Sequence, residues 1–120
     1  MTGDSGVGQS IEERVVGIAG SPPGQGPFMR LFLFVQGGIV REASYDTYLC
    51  PAAHECGKAV CELVRGKGVE EARQVDHEAV ASRVGPLPRP KMFCYGLAVL
   101  ALANALGQLR NAVGWEKTPT

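Results

Sequence analysis

Four cysteines, at positions 50, 56, 61 and 94, are the residues of this 120-residue chain best suited to chemistry. Cysteine ligates metals and attacks sulfur donors as its thiolate. Cys50 directly precedes Pro51, and proline suits the first position of a helix. A thiol there meets unpaired amide N–H groups and the positive end of the helix dipole, both of which favour ionisation. Cys94 follows the proline-rich stretch Gly85–Pro90, close to the start of an apolar run, so it shares that placement. Two such thiolates can converge on one metal ion. His54 lies one turn after Cys50 on the same helical face and can add a ligand, although a solvent-facing imidazole fits equally well. Cys56 falls within an apolar stripe, which favours a core thiol over a ligand. The candidate metal set is therefore Cys50, Cys94, His54 and Cys56. Cys61 is separated from Cys50 by roughly 16 Å of helix, too far to share a mononuclear site. His77, between Asp76 and Glu78, reads as surface. The cysteine spacings lack the tight pairs of a zinc ribbon, and neither a G-x-S-x-G segment nor an apolar-set carboxylate pair is present.

These residues need elements to hold them. Phe28–Gln36 and Ile39–Tyr48 are rich in aromatic and β-branched residues and flank Gly37-Gly38, which predicts a β-hairpin. Apolar residues occupy both faces of its first strand, so that strand is expected to be well covered. Upstream, Ile11–Ala19 reads as a short helix leading into a strand near 15–19. From Pro51 the period becomes helical, with Ala53, Cys56, Val60, Leu63 and Val64 on one stripe. Two short helices follow within 69–83, the second capped by Asp76, and a longer helix spans about 91–109. Strands first and helices after make an α+β domain: a small antiparallel sheet packed against C-terminal helices at about 51–65, 69–83 and 91–109. A single domain is expected over 11–112, between a tail at 1–10 and another at 113–120. The tail segment Gly3–Ser10 nearly matches a phosphate-binding loop, but Gln9 stands at its lysine and no strand precedes it.

Twelve basic residues balance twelve acidic ones, which argues against a nucleic-acid partner. No export signal opens the sequence, so a cytoplasmic chain with free thiols is expected rather than a disulfide framework. The apolar run Met92–Leu106 is too short to span a bilayer and reads as a buried helix.

Three segments in register carry a family resemblance. Tyr45-Asp46-Thr47-Tyr48-Leu49-Cys50 resembles the F-x-T-x-G-C segment of IscU/NifU-type iron–sulfur cluster assembly scaffolds. Val64-Arg65-Gly66-Lys67-Gly68-Val69-Glu70-Glu71-Ala72 is similar to the family's V-x-G-[KM]-[ST]-x-x-E-A, and Leu87-Pro88-Arg89-Pro90-Lys91-Met92-Phe93-Cys94 to its L-P-x-x-[KR]-x-x-C. The resemblance covers roughly residues 15–110. It implies a non-enzymatic scaffold on which three cysteines, an aspartate and a residue beside the third cysteine gather around zinc or a nascent iron–sulfur cluster. It also implies a cysteine desulfurase as sulfur source, recipient apo-proteins, and a DnaK-type chaperone with its co-chaperone reading Leu87, Pro88, Arg89, Pro90 and Lys91. Cys50 and Cys94 match the second and third cysteines.

The departures define the problem. Where the family has A-P-x-C-G-D, this chain has Ser21-Pro22-Pro23-Gly24-Gln25-Gly26, so glycines stand at two ligand positions, and Phe93 precedes the third cysteine. Three readings follow: a divergent scaffold or carrier holding iron, a cluster or zinc through Cys50 and Cys94, with a homodimer able to pool four thiolates; an adaptor that keeps the fold and partner surface without metal; and a persulfide carrier acting through Cys50.

Overall fold

The computed structural model describes residues 12–22 and 24–109. The two expected tails and the loop-like Gly3–Ser10 segment lie outside those residues. Three strands come first, β1 (Glu12–Gly20), β2 (Phe28–Gln36) and β3 (Ile39–Thr47), followed by helices α1 (Pro51–Val64), α2 (Val69–Ala72) and α3 (His77–Val84). A 3-10 turn over Arg89–Lys91 leads into the last helix, α4 (Phe93–Leu106). The sheet is antiparallel in the order β1-β2-β3, which is the α+β arrangement expected.

Each local choice has a cause. Gly37 and Gly38 take φ of 62° and 79°, left-handed values that glycine adopts without penalty in a tight hairpin. β1 is strand throughout, pairing from Glu12↔Gln36 to Gly20↔Phe28. Sheet pairing thus overrides the short helix expected from Glu12-Glu13-Arg14. Asp76 caps α3 by accepting from the Ala79 amide at 2.9 Å. The proline-rich stretch before Cys94 closes as a 3-10 turn, which moves the start of the last helix to Phe93.

The core forms between one sheet face and the helices. Met29, Leu31, Leu33 and Val35 of β2 are buried there, against Ala53, Cys56, Val60 and Val64 of α1, all four fully inaccessible. Leu63 is only partly buried. The opposite face of β2 is not covered as expected: Phe32 is 40% exposed and its neighbour Ile18 49%. Among the described residues no helix lies over that face, because α1 and α4 both pack on the other one.

Two glycines set how close the helices come. A Cβ on Gly17 would lie 2.0 Å from the Ala101 carbonyl oxygen, so α4 rests directly on the β1 backbone. The Asn104 side-chain amide locks that seat by donating to the Ile18 carbonyl at 2.7 Å. A Cβ on Gly57 would strike the Tyr45 ring, which fixes α1 against β3 in the same way. Among the described residues no helix is long and apolar enough to cross a membrane.

Candidate functional site

The site lies at one end of the sheet, where β2 begins and β3 ends. Met29 pairs with Thr47 there, and the buried Thr47 hydroxyl donates to the Phe28 carbonyl at 2.7 Å. The chain leaves β3 through Tyr48 and Leu49 and turns into α1 with Cys50 as the N-cap, at φ −153° and ψ 118°. The Cys50 carbonyl accepts the first helical bond, from the His54 amide at 3.0 Å. Cys94 enters from the first turn of α4, the helix seated on Gly17.

Cys50 and Cys94 lie near each other: both are buried, at 4% and 0% exposure, and charge on Cys50 acts on Cys94. The Tyr48 hydroxyl lies 3.9 Å from the Cys94 sulfur, and it also favours the Cys50 thiolate. Burial pushes the Cys50 thiol up. The Ala53 amide, the Tyr48 hydroxyl, the Ala52 amide and the Lys91 charge together outweigh burial and bring it down to about 7. Cys94 ends higher than a free thiol: burial and the neighbouring Cys50 outweigh the Tyr48 bond and Lys91. The pair is therefore asymmetric, with Cys50 drawn down towards neutral pH and Cys94 held above the ordinary thiol value. Burial, followed by the two thiols, also raises Tyr48, which stays protonated and able to donate.

The other candidates are placed differently. Cys56 is fully inaccessible, and burial first, then the charges of Cys94 and Cys50, push it up to about 12. It is a neutral core thiol within electrostatic reach of the pair. Cys61 is likewise buried and pushed up to about 11, mainly by that burial. His54 is exposed and engages Tyr45, whose hydroxyl lies 3.3 Å from Nδ1 with the ring centroids 5.7 Å apart. His77 is exposed, as expected, with its ring edge-on to Tyr95 at 5.1 Å.

The donor set fits a cluster or metal only in part. Two sulfurs converge, but among the described residues no three His, Cys, Asp or Glu side chains are grouped to hold a metal ion. In the loop between β1 and β2, Gly24 and Gly26 take φ of 90° and 147°. These are backbone states that a ligand-bearing L-residue rarely adopts. One chain thus offers a two-thiol half-site, whereas tetrahedral zinc and cluster sites draw on four protein ligands.

Around the pair the surface is apolar. Leu49 is 96% exposed beside Cys50, and Met92 and Phe93, at 44% and 46%, stand beside Cys94. Pro88 to Lys91 are exposed along the 3-10 turn and Leu87 is half-buried. Sequence reasoning missed Tyr48 and the second role of Lys91. The signal for Tyr48 was its place two residues before Cys50, where the chain leaves β3 for α1.

An α+β domain with a pair of helix-mouth thiols at the end of a three-stranded sheet defines the class. The sequence profile of the NifU-like N-terminal domain matches residues 4–114, and the chain belongs to that family. It is 33% identical over 100 residues to the iron-sulfur cluster assembly scaffold protein IscU 1 of Archaeoglobus fulgidus, a match covering 83% of this chain and 65% of the relative. The chain thus spans just under two thirds of that protein's length. Over 95 residues it is 32% identical to the iron-sulfur cluster assembly scaffold protein IscU of Buchnera aphidicola, covering 78% of this chain and 73% of the relative. The corresponding protein of Haemophilus influenzae is 31% identical over 99 residues, covering 82% and 77%.

Proposed function

We propose that this protein works in iron–sulfur cluster assembly, taking iron or a nascent cluster as cargo between Cys50 and Cys94. The observation that carries the reading is the convergence of these two buried thiols under one tyrosine hydroxyl and one lysine. Metal-ligating sulfur must be deprotonated, and Cys50, brought down to about 7, meets that need near neutral pH. Family membership and the scaffold names of its relatives point the same way. The remaining ligands come from outside the half-site, a second copy of the chain being one source, since two copies pool four thiolates. Zinc is a further cargo for the same pair. No catalytic residue enters this reading. A cysteine desulfurase supplies sulfur, recipient apo-proteins receive the product, and the exposed Leu87–Lys91 segment suits a DnaK-type chaperone and co-chaperone. The cytoplasm is the compartment the reading assigns.

The test is anaerobic loading with ferrous iron and sulfide, read as protein-bound iron and as visible absorbance. The wild type is expected to retain both, and Cys50→Ala or Cys94→Ala to lose them. Retention unchanged in both variants, or none in the wild type, overturns the reading. A second reading, Cys50 as persulfide carrier, is favoured by the asymmetry of the pair, because only Cys50 is drawn below the ordinary thiol range.

A further inference from the structure

The sheet face turned away from the helices carries a charge pattern as well as an apolar one. Cross-strand pairing lays out three rows on it: Arg14, Phe34 and Glu42; then Val16, Phe32 and Ser44; then Ile18, Arg30 and Asp46. The third row satisfies its own charges through the Arg30–Asp46 ion pair. The first row does not. β1 and β3 stand two strand spacings apart, roughly 10 Å, and the Arg14 guanidinium lies over the intervening Phe34 ring at 4.3 Å from its centroid. Arg14 and Glu42 are both exposed, and among the described residues neither has an ion-pair partner. Between these two corners a shallow groove is lined by Val16, Phe32 and Phe34. A half-apolar sheet face is ordinarily buried against a second layer, and α1 and α4 both pack on the other side.

We propose that a second copy of this chain covers the face, sheet against sheet, about a two-fold axis running along β2. The rows select this partner. Rotation about such an axis exchanges the β1 and β3 sides while keeping each row level. It sets Phe32 against Phe32 of the second copy and Phe34 against Phe34. It also brings each Arg14 opposite Glu42 of the second copy, so two ion pairs form from charges that one chain leaves apart. A contact of this kind is complementary to itself and closes at two copies. Sheets packed face to face enclose a layer about 10 Å thick, which the two sets of aromatic rings fill. Three strands of nine residues make a face of about 14 by 30 Å. That is small for a protein interface, so the dimer is weak and forms as concentration rises. Cys50 and Cys94 belong to the core on the helix side. The dimer therefore needs no cargo and leaves both thiol pairs uncovered.

Metal-free, reduced, full-length protein is followed by sedimentation equilibrium over a concentration series, beside Arg14→Glu, Glu42→Arg, the two combined, and Phe32→Glu. The wild type is expected to pass from monomer to dimer. By symmetry each single reversal sets like charges opposite each other twice, and is expected to weaken the dimer about tenfold or more. The combined exchange restores both opposite-charge pairs and is expected to bring association back close to the wild-type value. Phe32→Glu is expected to stay monomeric. Wild type that is monomeric throughout overturns the proposal, and that result needs no variant to fold. A dimer indifferent to the reversals, or a combined exchange no better than either single change, overturns it too; rescue by the exchange is not something a folding defect produces. Trp115 is the chain's one tryptophan. Monomeric wild type whose Trp115 emission shifts with Phe32→Glu gives the face to residues 110–120 and removes the second copy.

Discussion

The Tyr48 hydroxyl lies 3.9 Å from the Cys94 sulfur, and the same hydroxyl, two residues upstream of Cys50, favours the Cys50 thiolate. One neutral donor thus serves two thiols that arrive from elements 44 positions apart in sequence, as the numbering from 50 to 94 gives. Because burial keeps this phenol protonated, it favours negative charge on whichever sulfur carries it.

Tyr48→Phe removes that donor while keeping the ring. The Cys50 thiolate loses one of the contacts that hold it at about 7, so its ionisation moves upward in pH. The rate of alkylation at Cys50, followed against pH, is expected to show a midpoint above that of the wild type, with slower labelling at neutral pH. An unchanged midpoint would remove Tyr48 from the site.

Exposed and engaged with Tyr45, His54 contributes to the helix surface rather than to the thiol pair. His54→Ala is expected to leave iron retention within twofold of wild type and to cost about 0.5–1.5 kcal/mol of stability from the lost ring pair. Iron retention that falls as far as in Cys50→Ala would make His54 a ligand.

Gly17→Val tests how α4, and with it Cys94, is positioned. The new Cβ has to occupy space 2.0 Å from a backbone oxygen, and backbone yields less readily than a side chain. Overpacking of this kind costs about 1–3 kcal/mol or more. Denaturant unfolding is expected to show that loss, together with weaker thiol-pair chemistry; a change below about 0.5 kcal/mol contradicts the close seating.

Stability should fall above pH 9 under reducing conditions. Cys56 and Cys61 are pushed up to about 12 and 11 in the fold, mainly by burial, from an ordinary thiol value of 9.0. Their stabilisation is complete below 9 and is lost as pH rises towards those folded values, because the unfolded thiols ionise first. Cys50 acts in the opposite sense: its depressed value favours the folded state above 9 and loses that contribution as pH falls through about 7. Melting temperature against pH, with dithiothreitol present, should therefore decline on the alkaline side, and Cys56→Ala should flatten the decline. A flat wild-type profile up to pH 11 would contradict the burial of these thiols.

Much of the fold was legible because its signals are local. The paired glycines at 37 and 38, the apolar stripe from Ala53 to Val64 and the Asp76 cap each specify an element from neighbouring residues alone. What was not legible depended on tertiary partners. Glu12–Arg14 is strand only because Gln36 to Phe34 lie alongside. The outer face of Phe32 is apolar yet uncovered, and composition does not say which side of a sheet the helices choose. At the site, Cys50 and Cys94 could be singled out from their helix-mouth positions, and the structure brings them together. The turn of His54 towards Tyr45 depends on the Gly57 approach that fixes α1 against β3, which no helical spacing encodes.

The loop between β1 and β2 has a bearing on any attempt to complete the half-site. Gly24 has φ +90° with open space where a side chain would go, while a Cβ on Gly26 would come within 3.0 Å of the Ser21 hydroxyl. Room is therefore not what keeps a cysteine from position 24. A residue with a side chain has to be held there at a cost of about 1–3 kcal/mol, or the loop has to be rebuilt around it. Gly24→Cys with Gly26→Asp would supply the missing atoms on the wrong backbone. In this chain the route back to a full ligand set runs through loop conformation, and a swap of side chains alone carries that backbone cost.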